Sequence, residues 1–470
     1  MVRDWTAIIA PAGYGKTHQI VRRVSNASGR VLVLTHTKAG VTALSRRLDG
    51  EKLERSRYEL STIASYCRKW AEAYPFASGY GREDADGHNS GLIDYDRLYS
   101  SAATVFKKQW AQRVINASYG QIIVDEYQDC TALQRDALFA LAEQLSLFVY
   151  GDPMQAIFHW AGPLADVEDP TFNVAMLASE PYRWINAGAR ALGEEIARIR
   201  EQLMPTLKGE TVSVDIRNGI PGLDVMPASG LWNREIFKRV ARCGNESILY
   251  LTSHKEGQKS FCERCIGFQV NEKIDCEDLA IWAERIDSAS GPARCLALLE
   301  FADECFTHVK SELESYFKRL GSGSLDFSRI RKYTELGVLL AVAADSEDYA
   351  SGYKVLEWIE KSSVGFRQYR GQLFGEMKRA LRYAATHGLN LTDALRKSHG
   401  DMESYEARYP QFRRIASRAV LSKGLEYDTV IVDATTITDP RDFYVAISRC
   451  RKRLIIIADQ SALKFSGVSR

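Results

Sequence analysis

Ala10-Pro11-Ala12-Gly13-Tyr14-Gly15-Lys16-Thr17 follows the apolar run Trp5-Thr6-Ala7-Ile8-Ile9 and leads into a helical continuation from His18 to Val24. Strand, glycine-rich loop, Lys-Thr and helix in that order read as a phosphate-binding loop. Glycine lets the backbone curl so that successive N–H groups point at phosphate oxygens, and the helix N-terminus adds its dipole. On this reading Ala12, Gly13, Tyr14 and Gly15 cradle the phosphates of a nucleoside triphosphate. Lys16 reaches the β and γ oxygens, and the Thr17 hydroxyl is placed for Mg²⁺. The plain alternative is a chance glycine-rich turn. Ala10 stands where many such loops begin with glycine, a strand-end position that tolerates a methyl group.

What the energy is used for depends on a second motif. Gln121-Ile122-Ile123-Val124-Asp125-Glu126-Tyr127-Gln128-Asp129 is an apolar strand ending in adjacent acids. A wholly apolar run of this length suits a central parallel strand better than a solvated acidic loop. Successive residues at a strand end project differently, so Asp125 can hold the metal while Glu126 acts as general base on the attacking water.

With these residues in place the sequence resembles a superfamily 1A DNA helicase of the UvrD, Rep and PcrA type. Val124 to Asp129 is similar to that family's motif II, and the other motifs follow in the family's order. Val31-Leu-Val-Leu-Thr-His-Thr37 with Leu44-Ser-Arg-Arg-Leu48 resembles motif Ia, and Ser61-Thr-Ile-Ala-Ser65 resembles motif Ib. Val149-Tyr-Gly-Asp-Pro-Met-Gln-Ala-Ile-Phe-His-Trp160 resembles motif III, and Pro181-Tyr182-Arg183 resembles the core of motif IV. Ser422-Lys-Gly-Leu-Glu-Tyr427 resembles motif V, and Phe443-Tyr-Val-Ala-Ile-Ser-Arg-Cys-Arg-Lys-Arg-Leu454 resembles motif VI.

The chemistry such motifs must perform assigns roles. Charge that develops as the γ-phosphate leaves needs cations, and a transition-state arginine is worth about 10³ to 10⁵ in rate. Arg183 and Arg449 are the candidates. Gln155 follows a strand and a Gly-Asp turn, where its amide can sense water or γ-phosphate. The resemblance further implies that Glu426 holds the ribose hydroxyls, that Gly424 approaches the γ-phosphate through its backbone, and that His36 and Thr62 touch DNA. Single-stranded DNA is held by stacking of bases on aromatic faces, about 1 to 3 kcal/mol each. Phe158 and Trp160 lie just past Gln155, with ordinary core packing as the alternative.

Several positions depart from the family's pattern. No glutamine stands among the residues before Ala10, so relaxed choice of base is expected. Ala161 replaces the arginine that usually ends motif III, and Arg418 and Val420 replace the usual lead into motif V.

The resemblance implies an α/β fold of two RecA-like domains, each doubly wound around a parallel sheet, with helical insertions. The motif map puts the first domain at 1–180, with a short helical 1B insertion at about 66–115. The second is expected at 181–260 plus 411–470, with a helical insertion at the 2B position over 261–410. Within that insertion Phe366 to Tyr383 interleaves basic and aromatic residues, either a contact for DNA or a partner, or a solvated face over a packed helix.

The chain has 470 residues, 45% of them hydrophobic and 26% charged, ample for more than one core. A net charge of +2 neither demands nor excludes DNA, because channel charge is local. No run approaches the length of a membrane span and the first segment reads as a strand, so a cytoplasmic protein with no membrane partner is expected. Nine cysteines suggest reduced thiols. Cys262-Glu-Arg-Cys265, with Cys276 nearby, fits core packing or a metal site.

The resemblance implies an ATP- and Mg²⁺-dependent translocase or helicase. Its substrate would be single-stranded DNA or a duplex with a single-stranded tail, moved 3′ to 5′ in bacterial DNA processing or anti-phage defence. The compact format is also similar to the UvrD-like subunit of the Gabija anti-phage system, which works beside a separate OLD-type nuclease. That comparison implies the alternative of a DNA-sensing ATPase subunit regulating a partner nuclease. Little chain follows motif VI, so any nuclease is expected on a separate chain.

Overall fold

A computed structural model describes residues 4–81, 94–158, 164–177, 180–217, 219–230, 236, 240, 243–272, 277–345, 349–399, 412–460 and 462–467. The chain divides into two compact units, Met1–Leu231 with Ser422–Arg470, and Trp232–Leu421.

The first sheet contains β1 (Trp5–Ile9), β2 (Val31–Thr35), β3 (Tyr58–Thr62), β4 (Gln121–Val124), β5 (Ser146–Gly151) and β6 (Asn173–Met176). Their order is β3-β2-β4-β5-β1-β6, and every pairing is parallel. Parallel strands are covered on both faces, which is why these segments read as apolar runs rather than alternating ones. The pleat sorts their side chains. Trp5, Ala7, Ile9, Leu32, Leu34, Ile122, Val124, Leu147 and Val149 enter one core cluster. Ile8, Val31, Val33, Ile123, Phe148 and Tyr150 enter another with Ile20, Val21 and Val24 of the helix Lys16–Asn26. The carboxyl ends of the neighbouring strands β1, β5 and β4 carry the phosphate loop, the Gly151-Asp152 turn and Asp125 respectively. Backbone bonds hold these ends in register, with Ala10 N donating to Gly151 O at 3.1 Å and Asp125 N to Leu34 O at 2.8 Å.

Two short strands follow, β7 (Val212–Asp215) and β8 (Leu223–Met226), then β9 (Ile248–Leu251), β10 (Gln269–Val270), β11 (Phe306–Thr307), β12 (Arg367–Gln368), β13 (Arg414–Ser417), β14 (Tyr427–Asp433), β15 (Cys450–Ile457) and β16 (Ala462–Phe465). A second six-stranded sheet has the order β10-β13-β9-β14-β15-β8. β14 pairs in parallel with β15 and β15 with β8, while β13 pairs in parallel with β9 and β10. The two sheets with their covering helices make this an α/β protein of two RecA-like parallel-sheet folds.

The unit Trp232–Leu421 is largely helical beyond β9, β10 and β13. Helices Gly291–Cys305, Tyr349–Lys361 and Gly371–His387 share a core that includes Leu298, Phe301, Leu356, Phe374 and Leu381. The interleaved segment Phe366 to Tyr383 packs within this unit. Leu373, Phe374, Met377, Ala380 and Leu381 are buried, and Arg370 bonds Glu272, Glu304 and Asp278 at 2.7 Å each. That burial favours the packing alternative for this segment. Cys262 lies on the helix Lys255–Arg264, and Cys265 lies just past its end, both buried as free thiols. Cys276 lies outside the described residues. Among the described residues no group of three or more His, Cys, Asp or Glu side chains could hold a metal ion. Among them, too, no helix is long and apolar enough to cross a membrane.

Candidate nucleotide site

The phosphate loop needs its glycines. Gly13 and Gly15 sit at φ +74° and +87°, the left-handed region that side chains with a Cβ avoid. A Cβ at Gly13 would also lie 2.6 Å from the Trp184 ring and 3.0 Å from Arg183 Cβ. Arg183 N donates to Gly13 O at 3.1 Å, so the Pro181-Tyr182-Arg183 segment is fastened directly to the loop.

Lys16 opens the helix Lys16–Asn26 and is buried. Its Nζ lies 3.4 Å from Glu126 Oε1, with no closer acceptor among the described residues. Burial alone would favour loss of its proton. The nearby Glu126, Asp125 and Asp152 outweigh that and hold it as an ammonium. A buried ammonium with unfilled donors, at a helix N-terminus behind a glycine loop, fits a polyphosphate.

Asp125 and Glu126 leave β4 in different directions because Glu126 takes a left-handed backbone, φ +55°, an uncommon conformation for a non-glycine residue. Glu126 N donates back to Asp125 Oδ1 at 3.0 Å. Burial and then the charge of Glu126 push Asp125 upward. Burial would raise Glu126 too, but Lys16 and Lys423 outweigh it and keep Glu126 a carboxylate. Thr17 and Asp125 carry oxygen donors of the kind Mg²⁺ accepts, since that ion is held by one or two protein oxygens plus substrate phosphates. A dication beside Asp125 would relieve the burial that raises it.

The motif II and motif III residues are knitted together. Gln128 donates to Glu126 and accepts from Asp152 N at 3.1 Å. Gly151 is obligatory here, because a Cβ would lie 2.8 Å from both Gln128 Oε1 and Val167 Cγ1. Gln155 is buried and donates to Asp152 Oδ2 at 3.1 Å.

The cations come from the other end of the sequence. β14 and β15 start side by side, Tyr427 pairing with Cys450 and Tyr427 N donating to Arg449 O at 3.0 Å. Glu426 and Arg449 are therefore neighbours at the beginnings of two strands. Arg183 Nη2 bonds Glu426 Oε1 at 2.8 Å and Nη1 donates to Ser448 O. Burial, with Arg183 alongside, lowers Arg449 to about 10, still protonated at neutral pH. Its Nη2 donates to Gln155 Oε1 at 3.3 Å and to Ser448 Oγ at 2.8 Å. Gly424 takes φ +82°, with open space around its Cα.

Of the residues expected on DNA, His36 and Phe158 come together, their rings stacked at 5.8 Å and 25°. His36 follows the carboxyl end of β2. Burial, then Lys423, lowers its pKa to about 4, so the imidazole is neutral. Thr62 caps a helix. Its hydroxyl accepts from Ser65 N at 3.0 Å and donates to Ser65 Oγ at 2.8 Å, starting the helix Ile63–Ala73. Trp160 lies outside the described residues.

Sequence reasoning passed over several participants. Lys423 Nζ bonds Asp129 Oδ1 at 2.5 Å and Gln155 O at 2.6 Å, and stands 5.1 Å from the Phe158 ring centre. Asp152 is fully buried and pairs with Arg200 Nη2 at 2.9 Å. Lys423, Asp129 and Asp152 lie inside the quoted motifs, but their partners are remote in sequence. Arg200 has one signal, a cation one residue from the apolar stripe Leu192, Ile196, Ile199 and Leu203 of the helix Arg190–Leu203.

Residues 83–168, which contain the Asp125-Glu126 motif, match the UvrD/REP helicase N-terminal domain. An ATP-dependent helicase/nuclease subunit from Carboxydothermus hydrogenoformans is 33% identical over 110 residues, 23% of this chain and 9% of that relative's length. A crystal structure of an arterivirus helicase, nonstructural protein 10, aligns over 98% of this chain and 61% of its own at 10% identity, with a TM-score of 0.36. Over the segment that carries the second carboxylate motif, this chain is similar to the UvrD/REP helicases.

Proposed function

We propose that the protein is an ATP-driven translocase or helicase acting on single-stranded DNA or on a duplex with a single-stranded tail, moving 3′ to 5′. The observation that carries this reading is the convergence of Lys16, Glu126, Gln155, Arg183 and Arg449 on one site, with Gln155 bonded to Arg449. In this proposal the loop from Ala12 to Thr17 holds the phosphates, and Lys16 turns from Glu126 to the β and γ oxygens. Glu126, released from that ion pair, accepts the proton of the attacking water. Arg183 and Arg449 offset the charge that develops on the γ-phosphate, while Glu426 and Gly424 face ribose and phosphate. Mg²⁺, held by Thr17 and Asp125, would supply charge neutralisation between the β and γ oxygens.

The coupling to DNA would run through Gln155. Its side chain touches Arg449, its carbonyl accepts from Lys423, and Phe158 lies three residues on against His36. A change at the γ-phosphate thereby reaches a stacking surface within one turn of chain. Trp160 and Thr62 complete the proposed DNA contacts. The proposed domains are those of the motif map, 1–180 with an insertion at about 66–115, and 181–260 plus 411–470 with an insertion at 261–410. A cytoplasmic location belongs to the same proposal.

A second reading is a DNA-sensing ATPase that regulates a separate nuclease, of OLD type in the anti-phage comparison. The relative from C. hydrogenoformans, by its name part of a helicase/nuclease, favours keeping it. ATP turnover with and without single-stranded DNA, beside a Lys16→Ala control, tests both. Stimulated turnover with strand displacement from a 3′ tail supports the first reading. Stimulated turnover without displacement supports the second. Turnover no greater than that of Lys16→Ala refutes both.

A further inference from the structure

The helix Pro440–Ile447 packs against the Pro153–Gln155 turn, and Tyr444 is the residue it sends into the phosphate loop. The Tyr444 ring is buried, and its hydroxyl oxygen accepts from Ala12 N at 3.0 Å. The turn that this helix covers begins at the fully buried Asp152. Asp152 pairs with Arg200 at 2.9 Å and takes the side-chain amide of Gln155 at 3.1 Å. Ala12 N is thus tied through Tyr444 to the helix Pro440–Ile447, and that helix packs on the turn whose Asp152 and Gln155 are bonded to each other. Ala12, Tyr444, Asp152 and Gln155 are all buried, so a polar group orphaned among them is costly.

We propose that Tyr444 is a positioning residue whose hydroxyl ties the phosphate loop to the helix packed on the Asp152–Gln155 turn and so sets Gln155 and Arg449 in register with the bound triphosphate. The proposal rests on the reading of the site as a triphosphatase. The chemistry supports a positioning role rather than phosphate binding, because the hydroxyl is already engaged by a loop amide. A phenyl ring without the hydroxyl would fill the same space and leave Ala12 N unpaired. The tie is between the loop and an element on which the chemistry depends, so its loss should lower turnover more than affinity.

The test compares Tyr444→Phe with Tyr444→Leu and wild type in two measurements. Amide hydrogen exchange on the ligand-free protein reads the tie itself, whatever reaction the protein catalyses. Tyr444→Phe should accelerate exchange at Ala12 about tenfold or more while distant helices such as Gly291–Cys305 keep their protection. Unchanged exchange at Ala12 overturns the proposal even if the protein proves inactive. Steady-state ATP turnover with single-stranded DNA then reads the consequence. Tyr444→Phe should lower kcat about tenfold with KM for ATP within about threefold of wild type. Wild-type kcat in Tyr444→Phe, with Ala12 exchange accelerated, shows a tie without a positioning role and also overturns it. Wild-type turnover indistinguishable from Lys16→Ala refutes the triphosphatase reading and with it the kinetic role, while the exchange result stands on its own. Tyr444→Leu removes ring and hydroxyl together, and a loss seen only there would assign the residue to packing.

Discussion

Arg449 and Gln155 are 294 positions apart in sequence, yet Arg449 Nη2 donates to Gln155 Oε1 at 3.3 Å inside a buried pocket. Neither side chain is held by this bond alone. Arg449 Nε also donates to Val445 O at 2.9 Å, and Gln155 Nε2 to Asp152. Both are therefore aimed before any substrate arrives, which is how preorganised charge contributes most to a barrier. Arg449→Ala should lower kcat by about 10³ with a much smaller change in KM, the pattern of an interaction made mainly in the transition state. Steady-state ATP hydrolysis with single-stranded DNA measures it. A variant with full turnover would remove Arg449 from the chemistry.

Lys16 and Glu126 face each other at 3.4 Å, but their loss should have different signatures. Lys16→Ala removes the ammonium that holds phosphates, so nucleotide affinity and hydrolysis should fall together. Glu126→Gln keeps shape and relieves the crowding of carboxylates around Asp125, so Mg²⁺-ATP should still bind while hydrolysis falls by about 10² to 10⁴. Fluorescent-nucleotide binding set beside turnover separates the two. Comparable turnover in Glu126→Gln and wild type would reject the assignment of the base.

The loop glycines give a geometric prediction. Gly13→Ala must place a methyl 2.6 Å from the buried Trp184 ring while forcing alanine to φ +74°. Strain of this kind costs about 1 to 3 kcal/mol from the backbone alone. The variant should unfold at lower denaturant concentration and lose nucleotide binding, because the loop can relax only by moving away from Trp184 and Arg183. Gly424→Ala, also at positive φ but with open space around it, should lose less stability than Gly13→Ala. Equal losses would show that backbone strain, not the close approach of Trp184, makes glycine necessary at Gly13.

Much of this arrangement was legible in the sequence, and what was not has a common cause. The apolar runs at Trp5–Ile9, Val31–Thr35 and Gln121–Val124 announce buried parallel strands, and glycines, Lys16 and the Asp125-Glu126 pair sit where strands end. Those signals are local. The Asp152–Arg200 pair, the Lys423–Asp129 pair and the Tyr444–Ala12 bond join residues from distant motifs, and no spacing along the chain records such a distance. Thr62 shows the converse. As the residue before the helix Ile63–Ala73 its capping role is local and legible from helix chemistry alone.

The Asp152–Arg200 pair should be the most stability-critical polar contact in its unit. Both side chains are buried, so removing one leaves an uncompensated charge in the interior. Breaking a buried pair costs about 3 to 5 kcal/mol. Arg200→Ala should therefore lower the unfolding free energy by roughly that amount in urea titration. The double variant Asp152→Asn with Arg200→Met should be less destabilised than the single Arg200→Ala, since no charge is left stranded. A double variant as unstable as the sum of its parts would show that the pair is not energetically coupled.

His36 provides a pH prediction with a definite sign. Its folded pKa lies near 4, lowered first by burial and then by Lys423, whereas an unfolded histidine titrates near about 6.5. Between those values the unfolded chain binds a proton that the folded chain refuses, so folding stability is fully present above about pH 6.5 and declines as pH falls toward 4. The cost arises because a charged imidazole would lose its hydration in the buried site and meet the positive charge of Lys423. His36→Phe keeps an aromatic face for Phe158 and removes the titration. Urea unfolding at pH 7.5 and pH 5 should show a larger loss of stability for wild type than for His36→Phe over that interval, while single-stranded-DNA affinity at pH 7.5 is retained. An identical pH dependence in the two proteins would mean that His36 titrates normally, and that its ring is not confined against Phe158.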